Sequence, residues 1–129
     1  MQVKVYYHDT DCGGVVYYAN YLKYLEEART EFLAERGISV RELAAGGTLF
    51  VVSRQEIDYK FPAVYGDTLT IGTRIAETTA VRIYYEHEIR NQRDQLIAKA
   101  CTLLVCVDRE LKPRSIPEEI KEKIAANPE

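Results

Sequence analysis

Between residues 6 and 21 the chain reads YYHDTDCGGVVYYANY. Two acids, Asp9 and Asp11, stand ahead of a glycine pair, Gly13 and Gly14, and the stretch runs into a helical pattern at its far end. Acids so placed serve three chemistries: phosphoryl transfer through an aspartate, calcium ligation, and attack on an activated acyl group. For the third, the start of a helix offers unpaired backbone N–H groups and partial positive charge. Such an N–H, aimed at a carbonyl oxygen, stabilises the oxyanion that develops there. A carboxylate beside that carbonyl attacks it or deprotonates a water that does. Gly13 and Gly14 let backbone and substrate approach closely. The bland alternative is that the aspartates only shape a turn and that Asn20 caps the helix.

The elements that must hold this loop are legible from periodicity. QVKVYY alternates with period two and places Val3, Val5 and Tyr7 on one strand face. After the loop, Tyr21, Leu25, Ala28 and Phe32 recur at helical spacing, flanked by Leu22 and Leu33, with Lys23, Glu27 and Glu31 on the wet side. Gly37 stops this helix, and SVRELAAGG adds a short helical turn. From Leu49 the period returns to two, in LFVVSRQEIDY, TLTIGTRIAE, AVRIYYEHEIR and QLIAKACTLLVCVD. Their connections, FPAVYGD and NQRD among them, are too short for parallel crossovers, so the strands are expected to be antiparallel. Ser115 and Glu118 fit a capping box before a short C-terminal helix. The expected class is α+β, a long helix on a five-stranded antiparallel sheet, in one domain over residues 1–129. Leu103 to Val107 is apolar at every position, as in a strand buried on both faces. One helix cannot cover both faces and both edges of five strands, which points to burial by a second subunit.

This outline bears on the three chemistries. Asp-x-Asp phosphatases carry their acids on a parallel α/β sheet with further Lys and acidic motifs, none of which follows here. A calcium loop of the EF-hand type would take Asp9, Asp11 and Gly14, but Gly13 and Asn20 fall where it needs ligands. Acyl transfer is left standing. A net charge of −3 gives no basic stripe for nucleic acid. No apolar run reaches the length of a membrane span, and the chain opens on a strand pattern without a signal peptide, so the expected location is cytoplasmic. Cys12, Cys101 and Cys106 are an odd count without C-x-x-C spacing; Cys101 and Cys106 should point to opposite faces and pack as small buried hydrophobes. No metal site is expected.

The stretch VYYHDTDCGGVVYYANYLKYLEEARTEFL resembles the YbgC-like and 4-hydroxybenzoyl-CoA thioesterases of the hotdog-fold superfamily, and FVVSRQEIDYKFPAVYGDTLTIGTRI is similar to their second and third strands. The resemblance implies a hotdog fold paired edge to edge into a dimer and often a tetramer. It implies hydrolysis of an acyl-CoA or acyl-carrier-protein thioester without metal or organic cofactor. By that resemblance the catalytic aspartate falls on Asp11, the N–H that polarises the carbonyl on Tyr18, and a supporting tyrosine on Tyr7. Many YbgC-like enzymes carry histidine where this chain has Tyr18, while the 4-hydroxybenzoyl type has tyrosine. The basic nucleotide-binding segment reads ETTAVR and leaves Arg82 as its one cation. Gly14 at the helix mouth completes the expected substrate contacts with the candidates for the CoA phosphates at a subunit boundary, Arg82 first and then Arg54, Lys60 and Arg90, whose alternative is an ordinary exposed strand cation.

Other residues have quieter readings. His8 is expected to face solvent and His87 to be a satisfied, partly buried strand histidine. Cys12 lacks a partner base. Glu26, Glu27 and Glu31 read as solvated helix surface, since the loop already supplies a carboxylate. Tyr17, Tyr18, Tyr21 and Tyr24 crowd the helix start, as core packing or as rings that stack on a ligand, and Tyr18 in place of histidine tilts the expected acyl group toward aromatic or bulky. A non-catalytic hotdog protein that grips acyl carriers is the rival of another class.

Overall fold

The computed structural model describes residues 1–125. In chain order the elements are β1 (Gln2–Lys4), α1 (Tyr21–Ala34), α2 (Val40–Ala45), β2 (Leu49–Tyr59), β3 (Thr68–Thr78), β4 (Arg82–Arg90), β5 (Leu96–Val107) and α3 (Glu118–Ala125). The strands form one antiparallel sheet in the order β1-β3-β4-β5-β2. The antiparallel sheet, the long helix and the short last helix are those of the hotdog fold, as the sequence predicts. Within the described residues no helix is long and apolar enough to cross a membrane.

α1 forms because YLKYLEEARTEFLA contains good helix formers and no glycine or proline. It ends at Gly37, whose φ of +74° suits glycine, while the Ile38 amide donates to the Leu33 carbonyl at 2.9 Å. Tyr21, Tyr24, Leu25 and Ala28 pack on Leu69, Ile71, Ile89 and Ala98 of the sheet. Phe32 and Leu33 join Ile83, Leu104, Cys106 and, from the C-terminal segment, Ile116, Ile120 and Ile124 in a second cluster. Burying a side chain such as Leu25 stabilises the fold by about 1.5–3 kcal/mol, so this one helix face anchors the sheet. The anchoring stops short of β2, whose Val52 and Tyr59 remain 51% and 50% exposed. A seam therefore lies between α1 and the inner face of the edge strand β2, open at its two ends and half-buried at Gln55 and Ile57 between them.

A register shift between Val52 and Arg54 decides what faces that seam. Phe50 and Val52 lie opposite Cys106 and Leu104 on the inner face. The extra residue, Ser53, then returns Gln55, Ile57 and Tyr59 to the same face and sends Arg54 and Glu56 to the outer one.

Several expectations need correction. β1 stops at Lys4, so Tyr7 is not on a strand face beside Val3 and Val5; it opens a 3-10 turn over Tyr7–Asp9 and is 78% exposed. The cause is local: the Asp9 carboxylate takes the Tyr6 amide at 2.8 Å and bends the chain out of the sheet. Pro117, not Ser115, precedes α3, and the Ile120 and Lys121 amides donate to the Pro117 carbonyl. Cys101 and Cys106 do take opposite faces, but Cys101 is exposed and only Cys106 is buried. Along β5, Leu104 and Cys106 are buried under the helix layer, whereas Leu103 and Val105 on the outer face are only half-buried within this chain.

Candidate active site

The acidic loop is a miniature hairpin. Thr10 pairs with Val16, the Asp11 amide donates to the Val15 carbonyl at 2.9 Å, and the Gly14 amide returns to the Asp11 carbonyl at 3.1 Å. Gly14 has a φ of +84°, which a glycine adopts without strain, and Asp11 therefore stands at the tip. Val15 pairs with Val64, and the Val16 amide donates to the Ala63 carbonyl, so the hairpin leans on the β2–β3 connection.

Its two aspartates have opposite fates. Asp9 is buried; Oδ2 accepts from the Tyr6 amide and Oδ1 from Asn20 Nδ2 at 3.1 Å, with His8 Nε2 3.4 Å from Oδ1. The Asp9 carbonyl also takes the Tyr17 amide at 2.9 Å. Asn20 thus ties the helix start to Asp9 and is not a side-chain cap. Asp11 is exposed, and Oδ1 accepts from the Gly13 amide at 2.7 Å. A Cβ at Gly13 would lie 3.2 Å from that oxygen, so the glycine leaves room for the carboxylate.

A 3-10 turn over Tyr18–Asn20 leads into α1, and the first N–H groups of such a turn have no partner within it. Tyr18 occupies that first position. Asp11, Tyr18 and Lys60 line one pocket of about 330 Å³, walled by Val15, Val16, Tyr21, Tyr59, Phe61 and Pro62. Tyr59 Oη donates to the Tyr18 carbonyl at 3.0 Å, and its ring meets that of Tyr21 at 5.5 Å. Burial raises the pKa of Tyr21 and of Tyr59; the neighbouring Tyr18 adds to the rise at Tyr59. Both hydroxyls are neutral at pH 7, and that of Tyr59 is a donor.

The structure separates the remaining candidates from this pocket. Tyr7 points away, edge-on to Tyr65 at 6.0 Å. Arg54 lies on the outer sheet face, ion-paired with Glu56. Arg82 opens β4, exposed, and does not line the pocket. Gly14 acts through the hairpin's turn. Tyr17 is exposed with its ring beside Tyr18, while Tyr24 is buried in the core, so of the four helix-start tyrosines only Tyr18 and Tyr21 reach the pocket. Glu26, Glu27 and Glu31 are exposed, as expected of a wet helix face. Sequence reasoning missed Tyr59 and Phe61. The available signal was parity: Tyr59 follows Gln55 and Ile57 at period two, at the strand end facing the helix start.

The profile of the thioesterase-like superfamily matches residues 5–124. The acyl-CoA thioester hydrolase YbgC of Escherichia coli O157:H7 is 40% identical over 119 residues, covering 92% of this chain and 89% of that one. The chain belongs to the thioesterase-like superfamily. It is a thioester hydrolase with a hotdog fold. The crystal structure of Slr0204, a 1,4-dihydroxy-2-naphthoyl-CoA thioesterase from Synechocystis, superposes with a TM-score of 0.90 at 30% identity, covering 97% of this chain and 93% of that one. A gentisyl-coenzyme A thioesterase superposes with a TM-score of 0.88 at 29% identity, covering 94% and 98%.

Proposed function

We propose that the protein hydrolyses acyl-CoA thioesters with Asp11 as the reacting carboxylate and the Tyr18 N–H as the donor to the carbonyl oxygen. One observation carries the reading: the exposed acid of the loop and Tyr18, the first residue of the turn that starts the helix, line the same small pocket. The thioester carbonyl lies between them. Asp11 either adds to the carbonyl carbon or takes a proton from a water that adds. In both cases the developing oxyanion accepts from the Tyr18 N–H at the positive end of α1. The C–S bond then breaks, and CoA leaves as a thiolate that is protonated in water. On the first route a mixed anhydride with Asp11 remains, and water hydrolyses it to the free acid. Lys60, on the pocket rim, carries the positive charge nearest this centre for the phosphates of CoA.

The thioesterase names of the relatives support acyl-CoA as the substrate class, and two of the structural neighbours act on aromatic acyl groups. The rings of Tyr18, Tyr21, Tyr59 and Phe61 accept a flat acyl group or a chain laid along them. β2 is a sheet edge of 11 residues with Val51 and Val52 exposed, and it pairs with its copy in a dimer, whose two seams then face each other. A second pairing of such dimers gives the tetramer.

The test is thiol release from benzoyl-, butyryl- and decanoyl-CoA and an acyl carrier protein, with and without EDTA. Turnover of an acyl-CoA that EDTA leaves unchanged is expected. Binding of all the thioesters with turnover of none would replace the enzyme by an acyl-carrier-binding protein. Label found in Asp11 after single turnover in H₂¹⁸O identifies the anhydride route, since water that opens the anhydride at the Asp11 carbonyl leaves its oxygen there.

A further inference from the structure

Farther along the same seam, one half-buried and two buried polar groups have spare hydrogen-bonding capacity. Arg29, half-buried on α1, makes one long contact, Nη1 to Thr102 Oγ1 at 3.4 Å. That Thr102 hydroxyl is already committed, donating to Gln55 Oε1 at 2.7 Å. Among the described residues no carboxylate lies within 4.0 Å of the Arg29 guanidinium. Tyr85, 1% exposed, and His87, 3% exposed, stand side by side on β4 with rings stacked at 6.1 Å. Among the described residues neither Tyr85 Oη nor His87 Nε2 has a partner, although His87 Nδ1 meets Thr73 Oγ1 at 3.1 Å. A buried hydroxyl without a partner costs about 1–3 kcal/mol, which a ligand oxygen would recover.

Arg29 and Tyr85 line a cavity of about 220 Å³, and Phe50, Val52, Leu33 and Leu104 give it apolar walls. It lies between the same two elements as the catalytic pocket. Tyr21 of α1 and Tyr59 of β2 line the pocket; Arg29 and Val52 of those elements line the cavity. From Tyr21 to Arg29 is about 12 Å along the helix at 1.5 Å per residue. From Tyr59 to Gln55, the neighbour of Thr102, is about 13 Å along the strand. The two elements therefore place the guanidinium at the same depth from the reacting carbonyl.

We propose that Arg29 and the Tyr85 hydroxyl form a distal subsite that accepts a terminal carboxylate on an extended acyl group, so that the enzyme selects ω-carboxyacyl thioesters. The idea rests on the acyl-CoA reading above. A carboxylate offers two acceptor oxygens, one for the guanidinium and one for the phenol, and pairs with a cation that forms no ion pair within 4.0 Å among the described residues. Burial raises Tyr85 to a pKa of about 12, so its hydroxyl stays protonated and donates. Glu26 also lines the cavity, where its carboxylate takes the Thr30 hydroxyl at 3.0 Å. Its charge limits the subsite to one further anion and favours a single terminal carboxylate.

The experiment compares kcat/KM for sebacyl-CoA with that for decanoyl-CoA, and succinyl-CoA with butyryl-CoA, which are too short to reach Arg29. The wild type should prefer sebacyl- to decanoyl-CoA by about tenfold or more, and Arg29→Met should erase that preference. Tyr85→Phe removes one oxygen without altering the packed ring, and it should reduce the ratio several-fold. The succinyl-to-butyryl ratio should be the same in all three proteins. A sebacyl-to-decanoyl ratio that is equal in wild type and both variants overturns the subsite, and leaves the thioesterase reading intact if decanoyl-CoA is hydrolysed. Equilibrium binding of free sebacate and decanoate needs no turnover. Tighter sebacate binding that is lost in Arg29→Met supports the subsite even where no thioester is cleaved. Equal affinities, with only water at Tyr85 Oη in a sebacate-soaked crystal, overturn it.

Discussion

Asp9 and Asp11 are two residues apart on one loop, yet one is tied into the fold and the other stands exposed at a pocket. Asp9 has both carboxylate oxygens engaged and is buried against the helix start. Asp11 gives one oxygen to the Gly13 amide and stands exposed in a pocket with Tyr18. The difference comes from the hairpin. Thr10 and Val16 pair, which turns Asp9 inward on one side of the bridge and lifts Asp11 to the tip on the other. A carboxylate that is fully hydrogen-bonded holds geometry well and has no lone pair directed at a substrate. A carboxylate on a tight turn keeps one.

The sharpest break in that comparison is Asp11→Asn. Asparagine can still accept from the Gly13 amide, so the unfolding midpoint should stay within about 0.5 kcal/mol of wild type. kcat should fall about 10²- to 10⁴-fold, the range of a lost general base. Initial rates on the best acyl-CoA with urea denaturation decide it; near-wild-type turnover would move the chemistry to the helix glutamates.

Asp9→Ala should behave in the opposite way. It strands the Tyr6 amide and the Asn20 side chain and should cost about 3–4 kcal/mol, two charge-assisted hydrogen bonds in a buried setting. Urea midpoints at pH 7 measure it. A variant as stable as wild type would show that the knot holds nothing.

The sequence could not tell these acids apart, because both are aspartates ahead of a helix and the distinction lies in which one the Thr10–Val16 bridge buries. Strands and helices were legible, since period two, helical spacing and the stop at Gly37 are local signals. The structure also brings Asp11, Tyr18 and Lys60, three of the residues singled out from the sequence, to the lining of one pocket. What escaped needed tertiary knowledge. The bulge at Ser53 sets which residues of β2 face the helix, and so sends Arg54 outward and Tyr59 inward. The early end of β1 follows from a side chain five residues beyond it, Asp9. The polar cluster of Arg29, Tyr85 and His87 joins a helix to a strand more than 50 residues later, a pairing no local pattern announces.

His87 extends the contrast between bound and free groups to pH. Burial first, and the nearby Arg29 second, lower its pKa to about 4. The folded state thus keeps the imidazole neutral, while the unfolded chain protonates it below about 6.5. Its contribution is fully present above pH 6.5 and is lost as the pH falls toward 4. The slope is about 1.4 kcal/mol per unit at most, and the sum about 3 kcal/mol. His87→Gln should remove this component, so wild type and variant should converge in stability at low pH. Parallel stability curves across pH 4–7 would contradict the burial of a neutral histidine.

The smallest expected effect tests how firmly the free side of the loop is held. Tyr59 Oη donates to the Tyr18 carbonyl at 3.0 Å, across a half-exposed edge of the pocket. Tyr59→Phe keeps the ring against Tyr21 and deletes only that bond, worth about 0.5–1.5 kcal/mol for a neutral pair and less where water can replace it. Stability should therefore change little. The peptide that follows Tyr18 loses its tether, and the Tyr18 amide, proposed as the oxyanion's donor, becomes less well placed. kcat should fall about two- to fivefold with KM nearly unchanged, because the lost alignment matters most when the carbonyl oxygen carries charge. A rise in KM with kcat intact would make Tyr59 a wall for the acyl group and leave the Tyr18 amide positioned by the Asp9–Asn20 knot alone.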